Sequence, residues 1–313
     1  MATLISGSLA FDVIMDFPGK FKDHILPDKI HMLNVAFQVD TLERQFGGCS
    51  GNIAYTMKLL GGDPIILAPL GRDGGDYIEH FKSVGINTSY IPIRLDGFTS
   101  SAHMITDRDH NQIIAFHTGA GDQASMQSVS DVREPIELAL LTPAHKDATI
   151  RHARECKAGK IPFVFDPSHQ LGTFSKEELI ELIDMADFYI GNDYELALTL
   201  EKTGWTEAEL AKHAGTLIVT LGEKGSKITA PSGVFEIPIC PVEKVVDPTG
   251  AGDAYRAGFF TAYTLGHDLE TCGRVGAVAA TYAIEQYGTQ RHHFSLANFK
   301  ARYKQAHQSD LSL

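Results

Sequence analysis

The segment KVVDPTGAGDAYRAGFFTAYTLG, residues 244–266, carries the residues with the clearest capacity for chemistry. Nearly every residue over 254–265 is apolar or small, which predicts a buried helix. Free backbone N–H groups and the helix dipole favour an anion at a helix N-terminus, and glycine lets the anion approach closely. The residues placed there are Gly250, Ala251 and Gly252. Asp253 adds a carboxylate that, in phosphoryl transfer, would accept the proton of an attacking hydroxyl; an ordinary helix cap is the alternative.

The letters TGAGD also occur at 118–122, where the polar stretch QASMQSVSD follows. No apolar helix is predicted after this copy, so we interpret it as a coincidence of sequence without a catalytic role. For the same reason the loose G-x-G-x-x-A match at 119–124 is not interpreted as a dinucleotide-binding turn.

Further polar residues follow predicted strands or open predicted helices. Asp12 comes after the buried strand predicted for 3–9, and its carboxylate suits two vicinal sugar hydroxyls. Asn52 opens a predicted helix after a Gly-Gly turn. Asn192 and Glu195 straddle the junction of a predicted strand and helix, where α/β proteins place ligands. The alternatives are a loop aspartate, a helix cap, and a capping box between Asn192 and Glu195.

Alternating strand and helix patterns must position these residues. Short apolar runs predict core strands at 3–9, 64–71, 138–143, 161–167, 187–192 and 216–222. Apolar residues at helical spacing predict helices at 47–62, 74–85, 149–159, 175–186, 194–202, 251–266 and 269–287. Repeated β-α-β units predict an α/β fold, with a mostly parallel central sheet and helices on both faces.

Two segments do not fit that alternation. Residues 13–46 show no sustained helical period, and residues 96–118 contain a predicted β-hairpin. We therefore predict a small β-sheet lid made from 13–46 and 96–118. The α/β core domain is predicted to comprise residues 1–12, 47–95 and 119–313.

Composition narrows the classes of partner. The 313-residue chain has 27 basic and 39 acidic residues, a formal net charge of −12, which argues against a nucleic-acid partner. Its four cysteines lack C-x-x-C spacing, which predicts free thiols in a reducing cytoplasm. The N-terminus lacks the basic start of a signal peptide, and no apolar run reaches the ~18 residues of a membrane span. We therefore expect a cytoplasmic protein without a membrane partner.

The stretch DPTGAGDAYRAGF at 247–259 resembles the signature of the ribokinase-like, or PfkB, family of sugar and nucleoside kinases. GGCSGNIA at 47–54 resembles the other family signature, GNDYE at 191–195 its N-x-x-E motif, and TLGEKG at 220–225 its nucleotide-binding turn. The four motifs occur in the family's order and span most of the chain. The resemblance implies an α/β core with a β-sheet lid, and transfer of the γ-phosphoryl group of MgATP to a hydroxymethyl group.

The resemblance also implies roles for the matching positions. Asp253 would be the catalytic base, beside an anion hole formed by 250–252. Ring hydroxyls of the acceptor would be bound by Asp12, Gly48 and Asn52. The ATP site would include Asn192, Thr220, Gly222 and Gly225. Glu195 would organise Mg²⁺ through water. A monovalent cation such as K⁺ would bind near Asp247 and Thr249.

The acceptor is expected to be a nucleoside. Residues 19–48 resemble the lid of bacterial adenosine-kinase-like members, and 138–144 lacks the acidic residue that ribokinase-like members place after the equivalent strand. A nucleoside needs a flat apolar slot as well as polar contacts to ribose. Phe116 in the predicted lid suits that slot, and Gln170 could hydrogen-bond a base edge.

Adenosine is therefore the first choice of acceptor, with tolerance for other nucleosides. A sugar or sugar-phosphate kinase of the same family and a non-catalytic ligand-binding protein are the alternatives. The expected partners are the nucleoside and ATP. The chain is expected to be a monomer or a homodimer formed through the lid.

Overall fold

An eight-stranded sheet forms the centre of the protein in the computed structural model, which describes residues 2–109 and 111–313. The strands along the chain are β1 (Ala2–Ser6), β2 (Ala10–Asp16), β3 (Thr41–Gly47), β4 (Pro64–Leu67), β5 (Leu70–Gly71), β6 (Ile93–Arg94), β7 (Ser100–Thr106), β8 (Gln112–His117), β9 (Ile136–Leu141), β10 (Phe163–Phe165), β11 (Phe188–Asn192), β12 (Thr216–Thr220), β13 (Ser226–Ala230) and β14 (Gly233–Ile237). The order in the central sheet is β14-β13-β12-β11-β10-β9-β1-β4. All neighbours from β12 to β4 are parallel, and the β13–β14 hairpin is antiparallel. The predicted mostly parallel α/β sheet is confirmed.

Helices cover both faces of this sheet. They are α1 (Cys49–Leu59), α2 (Gly75–Ser83), α3 (Lys146–Gly159), α4 (Lys176–Met185), α5 (Asp193–Thr203), α6 (Glu207–His213), α7 (Ala251–Thr264), α8 (Leu269–Ile284) and α9 (Leu296–His307). Successive strand residues point to opposite faces, so Ile5 packs in the apolar cluster formed with α1, α7 and α8, while Leu4 packs with α3 and α4. Burial on both faces explains why these strands are apolar along their whole length.

The helices α7 and α8 pack closely through glycines. A Cβ atom added to Gly258 would lie 2.8 Å from the carbonyl oxygen of Val275, and one added to Gly276 would lie 2.9 Å from that of Tyr255. The prediction that a buried helix follows the second TGAGD is confirmed, since Ala254 to Ala262 are all buried. The N-terminus of α7 is thus held by its packing against α8.

A separate four-stranded sheet has the order β3-β2-β7-β8. The predicted hairpin is present as antiparallel β7 and β8, and β2 pairs in parallel with β7. Asp12 lies inside β2, so the expectation that it ends the first core strand is wrong; β1 already ends at Ser6. The division of the chain into a core domain and a lid domain stays a prediction.

Val245 and Val246, just before the second TGAGD, lie outside the sheets, and the backbone N–H of Val246 donates to the carbonyl of Ile284 at the end of α8. Both valines are about half exposed. The helix α9 was not predicted. Within the described residues, no helix is long and apolar enough to cross a membrane.

Candidate active site

Adjoining cavities lie at the carboxyl ends of the parallel strands, and the first of them also borders the smaller sheet. The first, about 530 Å³, is called the lid-side cavity, and its lining includes Asp12, Gly48, Phe116, His169 and Gln170. The second, about 480 Å³, is called the central cavity, and its lining includes Asn192, Glu195, Gly250, Gly252, Asp253 and Arg256. The third, about 340 Å³, is called the apolar cleft, and its lining includes Gly225, Ile239, Val242, Ala277 and Ile284.

Shared residues join these cavities into one continuous site. Cys49 lines both the lid-side and the central cavity. Thr220, Gly222 and Gly252 line both the central cavity and the apolar cleft. Ligands in the three spaces would therefore contact one another in sequence.

The α7 N-terminus forms an anion nest in the central cavity. Gly250 precedes the helix at φ +77°, a left-handed conformation that favours glycine. The N–H of Ala251 donates to the carbonyl of Pro248 at 3.2 Å, and the N–H of Ala254 donates to that of Gly250 at 2.9 Å. Between them, the N–H groups of Gly252 and Asp253 have no acceptor among the described residues, as expected at a helix start.

Asp253 lies at this nest with its carboxylate fixed from the opposite side. The side-chain amide of Asn52, inside α1, donates to Asp253 Oδ2 at 2.8 Å. Gln290 donates in turn to Asn52 Oδ1 at 2.9 Å, which fixes the orientation of the Asn52 amide. Burial raises the pKa of Asp253 to about 6, while Arg256 and the Asn52 hydrogen bond act against that rise. The carboxylate is therefore ionised, but only moderately stabilised, near neutral pH.

Asp12 points into the lid-side cavity from the smaller sheet. Burial, and then the negative charges of Asp253 and Asp247, raise its pKa to about 6. Gly47 on β3 pairs with Ala10 on β2, and a Cβ atom on Gly47 would collide with the Asp12 carboxylate. Gly48 follows at φ +85° and lines the same cavity. The absence of a side chain at Gly47 thus makes room for the Asp12 carboxylate, which the family resemblance predicts to bind the acceptor.

Phe116 and Gln170 also face the lid-side cavity, with different freedom. Phe116 lies on β8 with 58% of its surface exposed, and its ring is available to a ligand. The Gln170 amide both donates to the carbonyl and accepts from the N–H of Ala144. After these two bonds the amide retains one N–H and one oxygen lone pair for a base edge. Asn52 does not line this cavity, because its side chain is directed to Asp253.

Asn192 and Glu195 form a capping box at the start of α5. The N–H of Glu195 donates to Asn192 Oδ1 at 2.8 Å, and the N–H of Asn192 donates to Glu195 Oε2 at 2.7 Å. The structural alternative foreseen for this pair is therefore present, and both residues also line the central cavity. The second oxygen, Oε1, accepts no hydrogen bond from the described residues.

No cluster of three potential metal-binding side chains occurs within the described ranges. A magnesium site needs no such cluster, because Mg²⁺ retains waters and is bound by one or two carboxylates plus substrate phosphates. Glu195 contributes a carboxylate to the lining of the central cavity. Asp247 is otherwise engaged: its two oxygens accept from the N–H groups of Thr249 and Gly288, both at 2.9 Å.

The apolar cleft has a polar entrance. Gly222 and Gly225 have positive φ angles, and a Cβ atom on Gly225 would collide with the carbonyl of Ile237. Thr220 ends β12 at this entrance. A flat aromatic base fits a cleft lined by aliphatic side chains, while the entrance opens toward the α7 nest.

Sequence reasoning missed a buried ion pair at the central cavity. Arg256 Nε lies 2.6 Å from Asp166 Oδ2, and Arg256 Nη2 donates to Asp166 Oδ1 at 2.7 Å. The signal was available: Arg256 is the one basic residue in a largely apolar helix, and a buried arginine requires a partner. Cys49 and Gln290 were also missed, and neither carries a comparable signal in the sequence.

Comparison with known proteins agrees with this geometry. The model of pfkB family carbohydrate kinases matches residues 19–293. The chain belongs to the pfkB family. A nucleoside kinase of Methanocaldococcus jannaschii is 32% identical over 259 residues, covering 82% of this chain and 85% of the relative.

Solved structures of pfkB-fold relatives superpose over nearly the whole chain. The Burkholderia thailandensis nucleoside kinase in complex with inosine has a TM-score of 0.89 and 37% identity, covering 99% of both chains. The same protein in complex with ADP-inosine has a TM-score of 0.87 and 38% identity, covering 99% of this chain and 97% of that one. The predicted family and the ribokinase-like fold are confirmed.

Proposed function

We propose that this pfkB-family protein is an ATP-dependent nucleoside kinase that phosphorylates the 5′-hydroxyl group, with adenosine as its preferred acceptor. One observation carries the proposal: the carboxylate of Asp253 lines the central cavity beside the anion nest of α7, and that cavity adjoins, at Cys49, the lid-side cavity that contains Asp12. A phosphoryl group in the nest and a hydroxyl group in the lid-side cavity would meet at Asp253. The relatives named as nucleoside kinases, and the Burkholderia thailandensis complexes, support the same class of acceptor.

The reaction then follows from the placement of the groups. Asp12 would accept hydrogen bonds from the ribose hydroxyls and orient the 5′-oxygen toward the nest. Asp253 would accept the 5′-hydroxyl proton as that oxygen bonds to the γ-phosphorus and the bond to the leaving ADP oxygen breaks. The N–H groups of Gly252 and Asp253 would stabilise the charge on the transferred group.

The nucleotide would occupy the remaining two spaces. Its base would enter the apolar cleft past Thr220, Gly222 and Gly225, and its phosphates would extend through the central cavity toward α7. Glu195 would hold Mg²⁺ through water, and the ion would neutralise phosphate charge. K⁺ remains a weaker proposal, because the carboxylate of Asp247 already accepts two backbone hydrogen bonds.

Adenosine preference rests on the resemblance of residues 19–48 to the lid of adenosine-kinase-like members, and Phe116 supplies an aromatic surface for the base. Sugar or sugar-phosphate phosphorylation is the second candidate, because Lys146 also lines that cavity and supplies a positive charge. Lys146 is, however, paired with Glu178 at 3.0 Å, which favours an uncharged acceptor.

The test is turnover with MgATP on a panel of adenosine, inosine, cytidine, ribose, fructose and fructose phosphates. We expect the highest kcat/KM for adenosine, with the 5′-monophosphate as product. Turnover of free sugars alone would overturn the nucleoside proposal, and a preference for inosine or cytidine would overturn adenosine only. Absence of any phosphoryl transfer would favour a non-catalytic binding protein.

A further inference from the structure

Arg256 lies one helical turn after Asp253 on α7 and reaches the central cavity. Only 7% of its surface is exposed, and its partner Asp166, just past the end of β10, is 2% exposed. Burying such a pair removes two charges from water, and well-packed apolar residues often replace a buried pair with no loss of stability. A contribution to stability is therefore a weak explanation for a buried charged residue at Arg256.

The guanidinium group is only partly used by Asp166. Nε and Nη2 face the two carboxylate oxygens, which fixes the plane of the group. Nη1 is directed to the start of α7, since a Cβ atom on Gly252 would lie 2.8 Å from it. Arginine has five N–H donors, so donors remain on the side of the nest after the pairing with Asp166.

A positive charge beside the α7 nest suits the chemistry of phosphoryl transfer. Negative charge spreads over the three equatorial oxygens of the transferred group, while the nest supplies only a few neutral N–H donors. A fixed guanidinium group adds charged donors without reorganisation during the reaction. Although burial opposes its charge, Asp166 raises the pKa of Arg256, so the group stays protonated.

We propose that Arg256 is a further catalytic residue that donates hydrogen bonds through Nη1 to the transferred phosphoryl group, and that Asp166 is the positioning residue that holds it. This inference rests on the proposed phosphoryl transfer. Arg256 keeps its protons throughout: the acceptor oxygen bonds to phosphorus, its proton passes to Asp253, and the ADP oxygen leaves with the bonding electron pair.

The test compares Arg256→Gln with Arg302→Gln. Arg302, on α9, is a matched control. It forms a half-buried ion pair with Glu285 at 2.6 Å, and it lines none of the three cavities. We expect R256Q to lower kcat by roughly 10²–10³-fold, as for loss of one oxyanion donor, with the acceptor KM nearly unchanged. R302Q is expected to retain wild-type kcat.

Nucleotide affinity distinguishes a contact between Arg256 and the transferred group from a purely structural role of Arg256. R256Q should lose affinity for a non-hydrolysable ATP analogue by roughly tenfold more than for ADP, since only the analogue carries the γ-phosphoryl group. Equal losses for both nucleotides would overturn the contact. This measurement needs no acceptor, so it remains decisive if the nucleoside proposal fails.

The double variant R256M/D166N covers the outcome in which R256Q leaves Asp166 unpaired and fails to fold. It removes both charges and is expected to fold but to show the same loss of kcat and of γ-phosphoryl preference. Wild-type kcat in this variant would overturn the proposal. D166N alone should lower kcat less than R256Q does; unchanged kcat would overturn the positioning role of Asp166.

Discussion

The side-chain amide of Asn52 donates a hydrogen bond to the carboxylate of Asp253 at 2.8 Å, joining α1 to the start of α7. The two residues are 201 positions apart in the chain. The family resemblance predicted that Asn52 binds the acceptor, but its side chain contacts Asp253, the proposed catalytic base. The contact engages only Oδ2 of the carboxylate.

Replacing Asn52 by alanine should shift the pH dependence of turnover. The hydrogen bond lowers the pKa of Asp253, so its loss should raise that pKa and move the acidic limb of kcat/KM upward by roughly one pH unit. Asn87→Ala is the matched control, because Asn87 also donates to a carboxylate, that of Glu134, outside the three cavities. An unchanged acidic limb in N52A would contradict this role.

Asp253→Asn should remove the proton acceptor while keeping the shape of the site. We expect kcat to fall by roughly 10²–10⁴-fold, with ATP affinity nearly unchanged, measured by steady-state kinetics and calorimetry. Asp268→Asn is the control: Asp268 caps α8 through the N–H of Thr271, and asparagine is an equally good cap. Full activity of D253N would remove Asp253 from the mechanism.

Asp253→Asn should stabilise the folded protein, although it lowers kcat. The pKa of Asp253 rises from 3.8 to about 6 on folding, so the folded state binds this proton more tightly and loses stability as pH rises through that window. Above pH 6 the charged carboxylate costs at most about 3 kcal/mol. D253N should therefore be more stable than the wild type at pH 8, with the gain vanishing near pH 4. Urea unfolding at both values measures this difference.

Gly258→Val should destabilise the α7–α8 contact. The added atoms would meet the Val275 carbonyl, and overpacking of this kind costs roughly 1–3 kcal/mol. Gly75→Ala is the control, because Gly75 also lies in a helix but has no atom within 4 Å of an added Cβ. We expect G75A to match or exceed wild-type stability in urea. A neutral G258V would show that the two helices can separate without cost.

The edge strand β8 should mediate a homodimer. Ile113, Ile114 and Phe116 are all more than 40% exposed on this strand, and an exposed apolar edge favours pairing with another chain. We expect the mass in solution to equal two chains, and Ile114→Lys to give one chain. Val234→Lys, on the edge strand of the central sheet, should leave the mass unchanged. A wild-type monomer at tens of micromolar would contradict the prediction.

Most of the central sheet was predictable because its strands are buried on both faces and so are apolar throughout. The buried helix after the second TGAGD was predictable for the same reason, since Ala254 to Ala262 offer no polar face. Asp12 was misplaced because residues 3–9 were predicted as one strand, whereas β1 ends at Ser6 and β2 begins at Ala10. The turn signal Ser6-Gly7-Ser8 marks the division between the two strands.

The site was predictable in its main-chain parts and less so in its side-chain contacts. The glycines of the nest predict a helix N-terminus, whereas the partner of Asn52 depends on how α1 and α7 pack. The amide of Gln170 bonds to Ala144 because a loop folds back after β10, which no local pattern shows. Side-chain contacts between residues far apart in the sequence are decided by packing, and hydrophobic periodicity does not predict them.

The Gly47-Gly48 step is one of the short connections that join the two halves of the site, and residues 7–9 between β1 and β2 are another. Strand β3 ends at Gly47 and α1 begins at Cys49, so the sheet that carries Asp12 is joined by one residue to the helix that carries Asn52. A rigid-body tilt of the smaller sheet must be absorbed in the torsion angles of Gly48 or transmitted to the partner of Asp253. Exchanging the smaller sheet with that of a relative, to change acceptor specificity, should therefore preserve this junction, or the engineered enzyme will lose turnover together with its old preference.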